Sequence, residues 1–180
     1  MKFSIRENDI LLVDLDNTLV FTDEANNAAY IEAIRYYLPN FEFDYSERIT
    51  REHLPNILNC FSDDSLISNV VALKEMIYEK HLFRTLLNEE VYFCIKNHNP
   101  ELCYLITNAK LERVNSILNY YSMKINFKDI FSIECNKYRE VFKIPFFFLN
   151  REKIFVFEDS VNEIMYLKNV LGIHNVYIVQ

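Results

Sequence analysis

The sequence predicts an α/β protein, in which helices cover both faces of a parallel sheet and an all-helical segment is inserted. Five short apolar runs are continuous rather than alternating, which is typical of strands that are buried on both faces. Segments with helical periodicity separate most of these runs. A stretch of about 60 residues after the first run has helical periodicity and contains no convincing strand. Strands that alternate with helices favour right-handed crossovers within one sheet.

The predicted strands are the runs Ile10–Val13, Cys103–Ile106, Ile130–Ile133, Ile154–Phe157 and Val176–Val179. Apolar residues at helical spacing predict the helices Leu111–Tyr121 and Val161–Leu171. Asp159 and Ser160 are candidate N-caps of the second helix, and Gly172 is placed to end it. Each of these helices follows a predicted strand, as a crossover connection requires.

The long helical stretch is predicted to be a separate insertion, because it exceeds the length of an ordinary crossover. We expect a core of residues 1–21 and 83–180, and a helical cap of residues 22–82 that lies over the sheet. The cap is predicted to begin with a helix over Glu24–Leu38, which ends at Pro39.

Two further helical segments are predicted in the cap. A short one follows Asp44, whose spacing to Glu47 fits a capping box. A longer one lies in SDDSLISNVVALKEMIYEK, which Ser62, Asp63 and Asp64 are predicted to open. Several charged or titratable side chains of this region are interpreted as solvated residues on helix surfaces: Arg51, His53, Lys74, His81 and Arg84.

Composition and charge argue against several classes of protein. The net charge of −7 opposes nonspecific binding to nucleic acid or to an anionic membrane, although a small phosphorylated substrate needs only local positive charge. No apolar run approaches the roughly 18 residues that span a bilayer, and MKFSIRENDI does not fit a signal peptide. The four cysteines form no CxxC pair, which is typical of free thiols. We therefore expect a cytoplasmic protein.

Three of the predicted strands run into polar residues at their carboxyl ends. These residues are Asp14, Asp16, Thr107, Asn108, Glu158 and Asp159. In an open parallel sheet, ligands bind beyond the carboxyl ends of the strands. If the three strands are neighbours, four carboxylates and two neutral polar side chains meet in one crevice. Each pair taken alone could instead cap the turn or helix that follows it.

Four clustered carboxylates point to a bound cation. Without one, like-charge repulsion would raise the pKa values of these groups. A hard divalent cation with oxygen ligands removes this conflict, and Mg²⁺ suits a site with few carboxylates. The sequence therefore predicts a Mg²⁺ site at the strand ends.

Four motifs, in the same order, resemble those of the haloacid dehalogenase superfamily. DLDNTLV resembles its first motif and LITNAK its second, NFKDIFSIECNKY resembles the stretch that leads to the third-motif lysine, and FVFEDS resembles the acidic fourth motif. The helical insertion lies where the superfamily carries its small cap domain. The resemblance implies a Rossmann-like core, an inserted all-helical cap and a phosphatase that acts on a small phosphate monoester.

The resemblance also implies catalytic roles. Asp14 would be the nucleophile that forms an aspartyl-phosphate. Asp16 would be the general acid for the leaving oxygen and then the general base for water. Thr107 and the backbone N–H of Asn108 would bind the transferring phosphoryl group, and Lys137 would balance its charge.

The metal ligands follow from the same resemblance. Mg²⁺ would be held by the Asp14 carboxylate, the Asp16 backbone carbonyl and Asp159. Glu158 would be a direct or water-mediated ligand. Asp16 also favours phosphate chemistry over dehalogenation, because true dehalogenases lack the second aspartate.

Three positions depart from the superfamily pattern. Lys137 is the expected third-motif lysine, but the proline that commonly follows it is absent, and Lys143 is an alternative. Phe21 stands where many relatives carry an acid. Asn26 stands where the sugar-phosphate mutases of the superfamily tend to carry a histidine, which argues against mutase activity.

Two other functional classes are compatible with the sequence. A non-catalytic relative could use the crevice to bind a ligand or a protein partner, although the Asp14 and Asp16 pair opposes this. A receiver-type phospho-acceptor domain also clusters acids and a lysine at strand ends, but it lacks a large insertion after its first strand.

Overall fold

The structure, a computed structural model, describes residues 5–43, 48–58 and 64–179. The chain divides into two compact units. One comprises Met1–Phe21 and Leu87–Gln180, and is called here the α/β unit. The other comprises Thr22–Leu86 and is called the helical unit. The second boundary therefore lies at 86/87, compared with the predicted 82/83.

The strands, in chain order, are β1 (Ile10–Val13), β2 (Val20–Phe21), β3 (Leu86–Leu87), β4 (Cys103–Thr107), β5 (Asp129–Ser132), β6 (Ile154–Glu158) and β7 (Val176–Ile178). The helices are α1 (Asp23–Tyr37), α2 (Leu54–Ile57), α3 (Asp64–Ile77), α4 (Glu89–Lys96), α5 (Leu111–Tyr120), α6 (Lys137–Val141), α7 (Pro145–Leu149) and α8 (Val161–Asn169). Among the described helices, none is both long enough and apolar enough to cross a membrane.

The α/β unit is built on a five-stranded sheet with the order β5-β4-β1-β6-β7. Every neighbouring pair in this sheet is parallel. All five predicted strands are present within one or two residues of their predicted ends, which confirms the predicted fold class. β2 and β3 form a separate two-stranded sheet that was not predicted. Strands of two residues are too short to show a period in the sequence.

The central strands are buried on both faces, which explains their unbroken apolar runs. Every residue of β1 and β4 is buried. The core on one side includes Leu12, Ile106 and Val156 from three adjacent strands, with Tyr138 of α6 and Leu167 of α8 packed against them. Burial of apolar area at about 25 cal/mol per Å² makes such a layer the main source of stability.

The helical unit is formed around α1, which packs against α3. The buried face of α1 includes Ala29, Ala33 and Ile34, whose spacing follows the helical period. Leu38 is the C-cap of α1, and Pro39 cannot continue the helix. α3 passes at Ile77 into a 3-10 segment over Tyr78–Arg84. The predicted capping box at residues 44–47 and the opening of the longer helix at residues 62–63 lie outside the described residues.

One interpretation of the helical unit is wrong. Lys74 is 1% exposed and is not a solvated surface residue. Its aliphatic chain occupies the buried stripe of α3, together with Val70 and Ile77. Arg51, His53 and Arg84 are exposed, as expected. His81 is partly buried, and its Nε2 lies 2.9 Å from Glu32 Oε2.

Candidate active site

The three strands that carry the predicted site are neighbours. β1 lies between β4 and β6, and all three run in the same direction. Their carboxyl ends therefore open on one edge of the sheet, where Asp14 follows β1, Thr107 ends β4 and Glu158 ends β6. This is the edge at which open α/β sheets bind ligands.

A cluster of three carboxylates lies at this edge. Asp14, Glu158 and Asp159 each offer an oxygen atom, and these atoms lie within 4.8 Å of one another. Asp14 is 4% exposed and Glu158 is fully buried, so water screens their charges poorly. A set of oxygen donors with excess negative charge fits a hard divalent cation such as Mg²⁺.

Lys137 joins this cluster. Its Nζ donates to Asp14 Oδ1 at 2.5 Å and forms an ion pair with Glu158 Oε2 at 2.8 Å. Lys143 has a side chain that is 63% exposed, and it pairs with Glu140 at 2.6 Å. The geometry therefore associates Lys137, and not Lys143, with the carboxylates.

The local backbone explains how Lys137 reaches the site. Asn136, the residue before it, has a φ of +53° in the left-handed region. Asparagine tolerates this conformation better than most residues do. The turn lets α6 begin at Lys137, whose side chain is 3% exposed.

The electrostatics of the cluster favour a further positive charge. Burial raises the pKa of Asp14 to about 7; Lys137 opposes this shift and Glu158 adds to it. Burial also raises the pKa of Glu158, against the effect of Lys137. Burial alone would lower the pKa of Lys137, but Asp14 and Glu158 hold it above its usual value. One ammonium thus pairs with two carboxylates of a cluster of three.

Asp16 has a partner that the sequence did not reveal. Arg113 Nη2 donates to Asp16 Oδ2 at 2.6 Å, and the two side chains are 10% and 14% exposed. Arg113 lies in the first turn of α5, the helix that follows β4. Its ion pair orients the Asp16 carboxylate, which is not part of the three-carboxylate cluster. No sequence spacing relates two residues that are 97 positions apart.

The loop after β1 is held by polar contacts. Asn17 has a φ of +59°, and its N–H donates to Val20 O at 2.7 Å. Asn88 Nδ2 donates to Thr18 O at 2.9 Å, and the buried Thr18 hydroxyl donates to Asp159 Oδ1 at 3.4 Å. The loop that carries Asp14 and Asp16 is therefore fastened to the ends of other strands and helices.

The second predicted motif lies at the end of β4. Thr107 is 1% exposed, and its Oγ1 accepts the N–H of Ala109 at 3.1 Å. Ser132 Oγ donates to Ala109 O at 2.6 Å, which ties this turn to the end of β5. Asn108 is exposed. Thr107 thus belongs to a fixed turn beside the strand that leads to Asp14.

Similar folds occur among solved structures of haloacid dehalogenase-like proteins. A hydrolase of this family from Streptococcus pneumoniae superposes with a TM-score of 0.69 at 15% identity, covering 92% of this chain and 82% of that one. CbbY from Rhodobacter sphaeroides, in complex with phosphate, gives 0.69 at 17% identity, with 91% and 83% covered. YfnB from Bacillus subtilis, bound to magnesium, gives 0.60 at 16%, with 84% and 79% covered. No family model and no curated protein matches the sequence.

The chain therefore has the haloacid dehalogenase fold, as its four motifs indicated. At such low identity the likeness establishes the fold, whereas the chemistry depends on the side chains at the strand ends. Those side chains include the buried Asp14 paired with the buried Lys137, two further carboxylates beside it, and Asp16 held by Arg113.

Proposed function

We propose that the protein is a Mg²⁺-dependent phosphatase that hydrolyses a small phosphate monoester through an aspartyl-phosphate on Asp14. The observation that carries this proposal is the pairing of the buried Asp14 with Lys137, beside Glu158 and Asp159, at the carboxyl end of the central strand. The likeness to folds solved with phosphate and with magnesium supports it.

In the first step, an Asp14 carboxylate oxygen attacks phosphorus and the bond to the leaving oxygen breaks. The Asp16 carboxyl group gives its proton to that oxygen, so that an alcohol leaves. Lys137, the Thr107 hydroxyl and the backbone N–H of Asn108 hold the equatorial oxygens. Arg113 keeps the Asp16 carboxyl group oriented toward the leaving group.

In the second step, Asp16 accepts a proton from water, and the oxygen of that water attacks phosphorus of the aspartyl-phosphate. The bond between phosphorus and the Asp14 oxygen breaks, which releases inorganic phosphate and restores both carboxyl groups. Lys137 remains charged throughout, because Asp14 and Glu158 raise its pKa.

Asp14, Asp159 and the backbone carbonyl of Asp16 would hold Mg²⁺, with Glu158 beside them. When bound, Mg²⁺ supplies Lewis-acid stabilisation of charge on the phosphoryl oxygens. Its charge also favours the ionised form of Asp14, which is the form that can attack.

The helical unit is proposed to act as a cap that selects the substrate. Within this unit, α1 and the 3-10 segment line an open groove of about 740 Å³ whose charged residues include Glu24, Arg35 and Arg84. All of the proposed chemistry lies in the α/β unit. Replacing residues 23–85 by a short linker should therefore change substrate preference more than it changes cleavage of a small aryl phosphate. An equal loss on every substrate, with the sheet still folded, would contradict a purely selective role.

The proposal is tested by a screen of phosphate monoesters with Mg²⁺ and with a chelator in its place. We expect turnover that requires Mg²⁺ and that is absent in Asp14→Asn. Full activity in the chelator would contradict the metal assignment. A receiver-type domain is not proposed, because Thr22–Leu86 form a separate unit after the first strand.

A further inference from the structure

Tyr138 is the residue after Lys137, at the position where the sequence lacks the expected proline. It is fully buried in α6. Its hydroxyl donates to Glu158 Oε2 at 2.7 Å. The same oxygen lies 2.8 Å from Lys137 Nζ. Two consecutive residues of one short helix therefore converge on one carboxylate oxygen.

The acceptor sites of Glu158 are nearly all occupied. A carboxylate offers about four lone-pair sites, two on each oxygen. Oε2 accepts from Tyr138 and from Lys137, and Oε1 accepts the N–H of Ser160 at 3.0 Å. Oε2 therefore has no lone pair left for a cation, whereas Oε1 retains one. Donors to both oxygens fix the orientation of the carboxylate.

The Tyr138 ring is held by the apolar core. It packs in the same cluster as Tyr104, Phe142, Phe147 and Val156. A tyrosine has only two side-chain torsions, so a packed ring fixes where its hydroxyl lies. A buried hydroxyl without a partner would be costly, and Glu158 provides that partner. The core thus determines the position of Glu158 Oε2 through one rigid side chain.

We propose that Tyr138 is a positioning residue, which holds Glu158 as a support for Lys137 and keeps Glu158 Oε2 from serving as a ligand of the cation. The packed ring fixes the position of the Tyr138 hydroxyl, and the hydroxyl fixes Glu158 through a hydrogen bond. Glu158 in turn holds the Lys137 ammonium next to Asp14. This proposal rests on the proposed function, in which Lys137 balances charge on the phosphoryl group that Asp14 accepts. Oε1 is then the one oxygen of Glu158 that can approach a cation held by Asp14 and Asp159.

The variant Tyr138→Phe removes only the hydroxyl and tests this role. Loss of a group that orients an active-site side chain typically lowers activity by roughly 10–100-fold. We expect kcat to fall by that order with KM little changed, because Lys137 acts in the transition state. Calorimetry on the substrate-free protein should show Mg²⁺ binding at least as tight as in the wild type, since Glu158 Oε2 is released.

Tyr104→Phe is the matched control. Tyr104 is a buried tyrosine of the same cluster, and its hydroxyl interacts with Lys128 rather than with the site. This variant should lower only the melting temperature, and leave kcat, KM and Mg²⁺ binding as in the wild type. Unchanged kcat and Mg²⁺ binding in Tyr138→Phe, as in the control, would overturn the proposal.

Two carboxylate variants complete the experiment and do not depend on the folding of Tyr138→Phe. Glu158→Gln should lose kcat, because a neutral amide no longer holds the Lys137 ammonium by charge, whereas Asp159→Asn should lose Mg²⁺ binding. Weakened Mg²⁺ binding in Tyr138→Phe, or an unchanged kcat in Glu158→Gln, would overturn the proposal. Because Mg²⁺ binding is measured without substrate, a lack of turnover in the wild type would contradict the phosphatase function alone.

Discussion

The two units each bury a lysine, and the surroundings of the two lysines differ. Lys137 in the α/β unit is 2% exposed and Lys74 in the helical unit is 1% exposed. Both ammonium groups lie about 5 Å from tyrosine rings: Lys137 at 5.1 Å from Tyr138, and Lys74 at 5.0 and 5.1 Å from Tyr30 and Tyr78. The difference is that Lys137 also bridges two buried carboxylates that come from the ends of different strands.

Lys74 pairs instead with Glu75, its neighbour in the same helix, whose side chain is 23% exposed. Its long chain packs between α1 and α3, and its charge lies against aromatic faces, which stabilise a buried cation. Lys137 is part of a buried charged cluster, and clusters of this kind are frequent at functional sites. Equal burial therefore accompanies two different settings, aromatic packing in the helical unit and a carboxylate cluster in the α/β unit, and we propose catalysis only for the second.

The largest expected effect comes from the carboxylate that Lys137 contacts. Asp14→Asn should show no turnover and no phosphorylated protein, because an amide oxygen is a poor nucleophile. Acid-quenched mass spectrometry after addition of an activated aryl phosphate measures the adduct. A phosphoryl group on Asp16, or any adduct in Asp14→Asn, would show that the nucleophile is another residue.

Asp16 is not part of the three-carboxylate cluster. Its substitution tests whether proton transfer depends on a different residue from nucleophilic attack. Asp16→Asn should lower kcat by about 10²–10⁴-fold on an alkyl phosphate, as is typical for loss of a general acid–base group. The variant should still accumulate phosphorylated Asp14 from an aryl phosphate, whose leaving group needs no proton. An equal loss of adduct formation on both substrates would contradict separate roles for Asp14 as nucleophile and Asp16 as general acid–base group.

Substitution of the buried Lys137 is expected to give the next largest effect on activity. Lys137→Met should lower kcat by about 10²–10³-fold, as loss of one charge-stabilising donor does in other active sites. It should also destabilise the Mg²⁺-free protein by about 3–5 kcal/mol, because two buried carboxylates lose their counter-charge. Denaturant unfolding and steady-state kinetics measure the two quantities.

Lys74→Met is the matched variant in the helical unit. It should cost about 1–2 kcal/mol of stability through the lost cation–π contacts, and leave kcat on an aryl phosphate unchanged. A fall in kcat as large as that of Lys137→Met, with the protein folded, would place Lys74 in the chemistry and remove the contrast between the two lysines.

The sheet and most of the carboxylate cluster that distinguishes Lys137 from Lys74 could be predicted from local sequence. The strands were visible as apolar runs, and Asp14, Glu158 and Asp159 directly follow or end such runs, so their meeting at one sheet edge required only that the strands be neighbours. Lys137 was the expected third-motif lysine from its place in the sequence, with Lys143 as an alternative. The structure distinguishes them because the left-handed turn at Asn136 directs the first side chain of α6 to the carboxylates.

The remaining features depend on contacts between distant residues. The pairing of Arg113 with Asp16, the hydrogen bond of Tyr138 to Glu158 and the burial of Lys74 all link separate elements of the fold. A charged residue on a helix is solvated in most sequences, so Lys74 could not be recognised as buried from its helix alone. These three features are the result of tertiary packing.

The pH dependence of stability is a smaller effect, which is expected from the α/β unit and not from Lys74 of the helical unit. Burial raises the pKa of Asp14 from 3.8 to about 7, so the folded state binds more protons than the unfolded state in that range. The stability that this group contributes is complete below about pH 4 and is lost as the pH rises through about 7. The Mg²⁺-free protein should therefore lose stability over this window. Asp14→Asn should lose less unfolding free energy over this window, while Lys74→Met should show the same dependence of unfolding free energy on pH as the wild type.

The smallest effect is expected for Lys143, the alternative third-motif lysine. Its side chain is 63% exposed, and its partner Glu140 lies three residues earlier on the chain. Exposed pairs of this kind contribute little to stability, because water screens both charges. Lys143→Met should therefore match the wild type in kcat, Mg²⁺ binding and melting temperature, under the conditions in which Lys137→Met loses activity. A loss of kcat in Lys143→Met equal to that in Lys137→Met would mean that α6 must rearrange before the reaction, because only then could the exposed lysine approach Asp14.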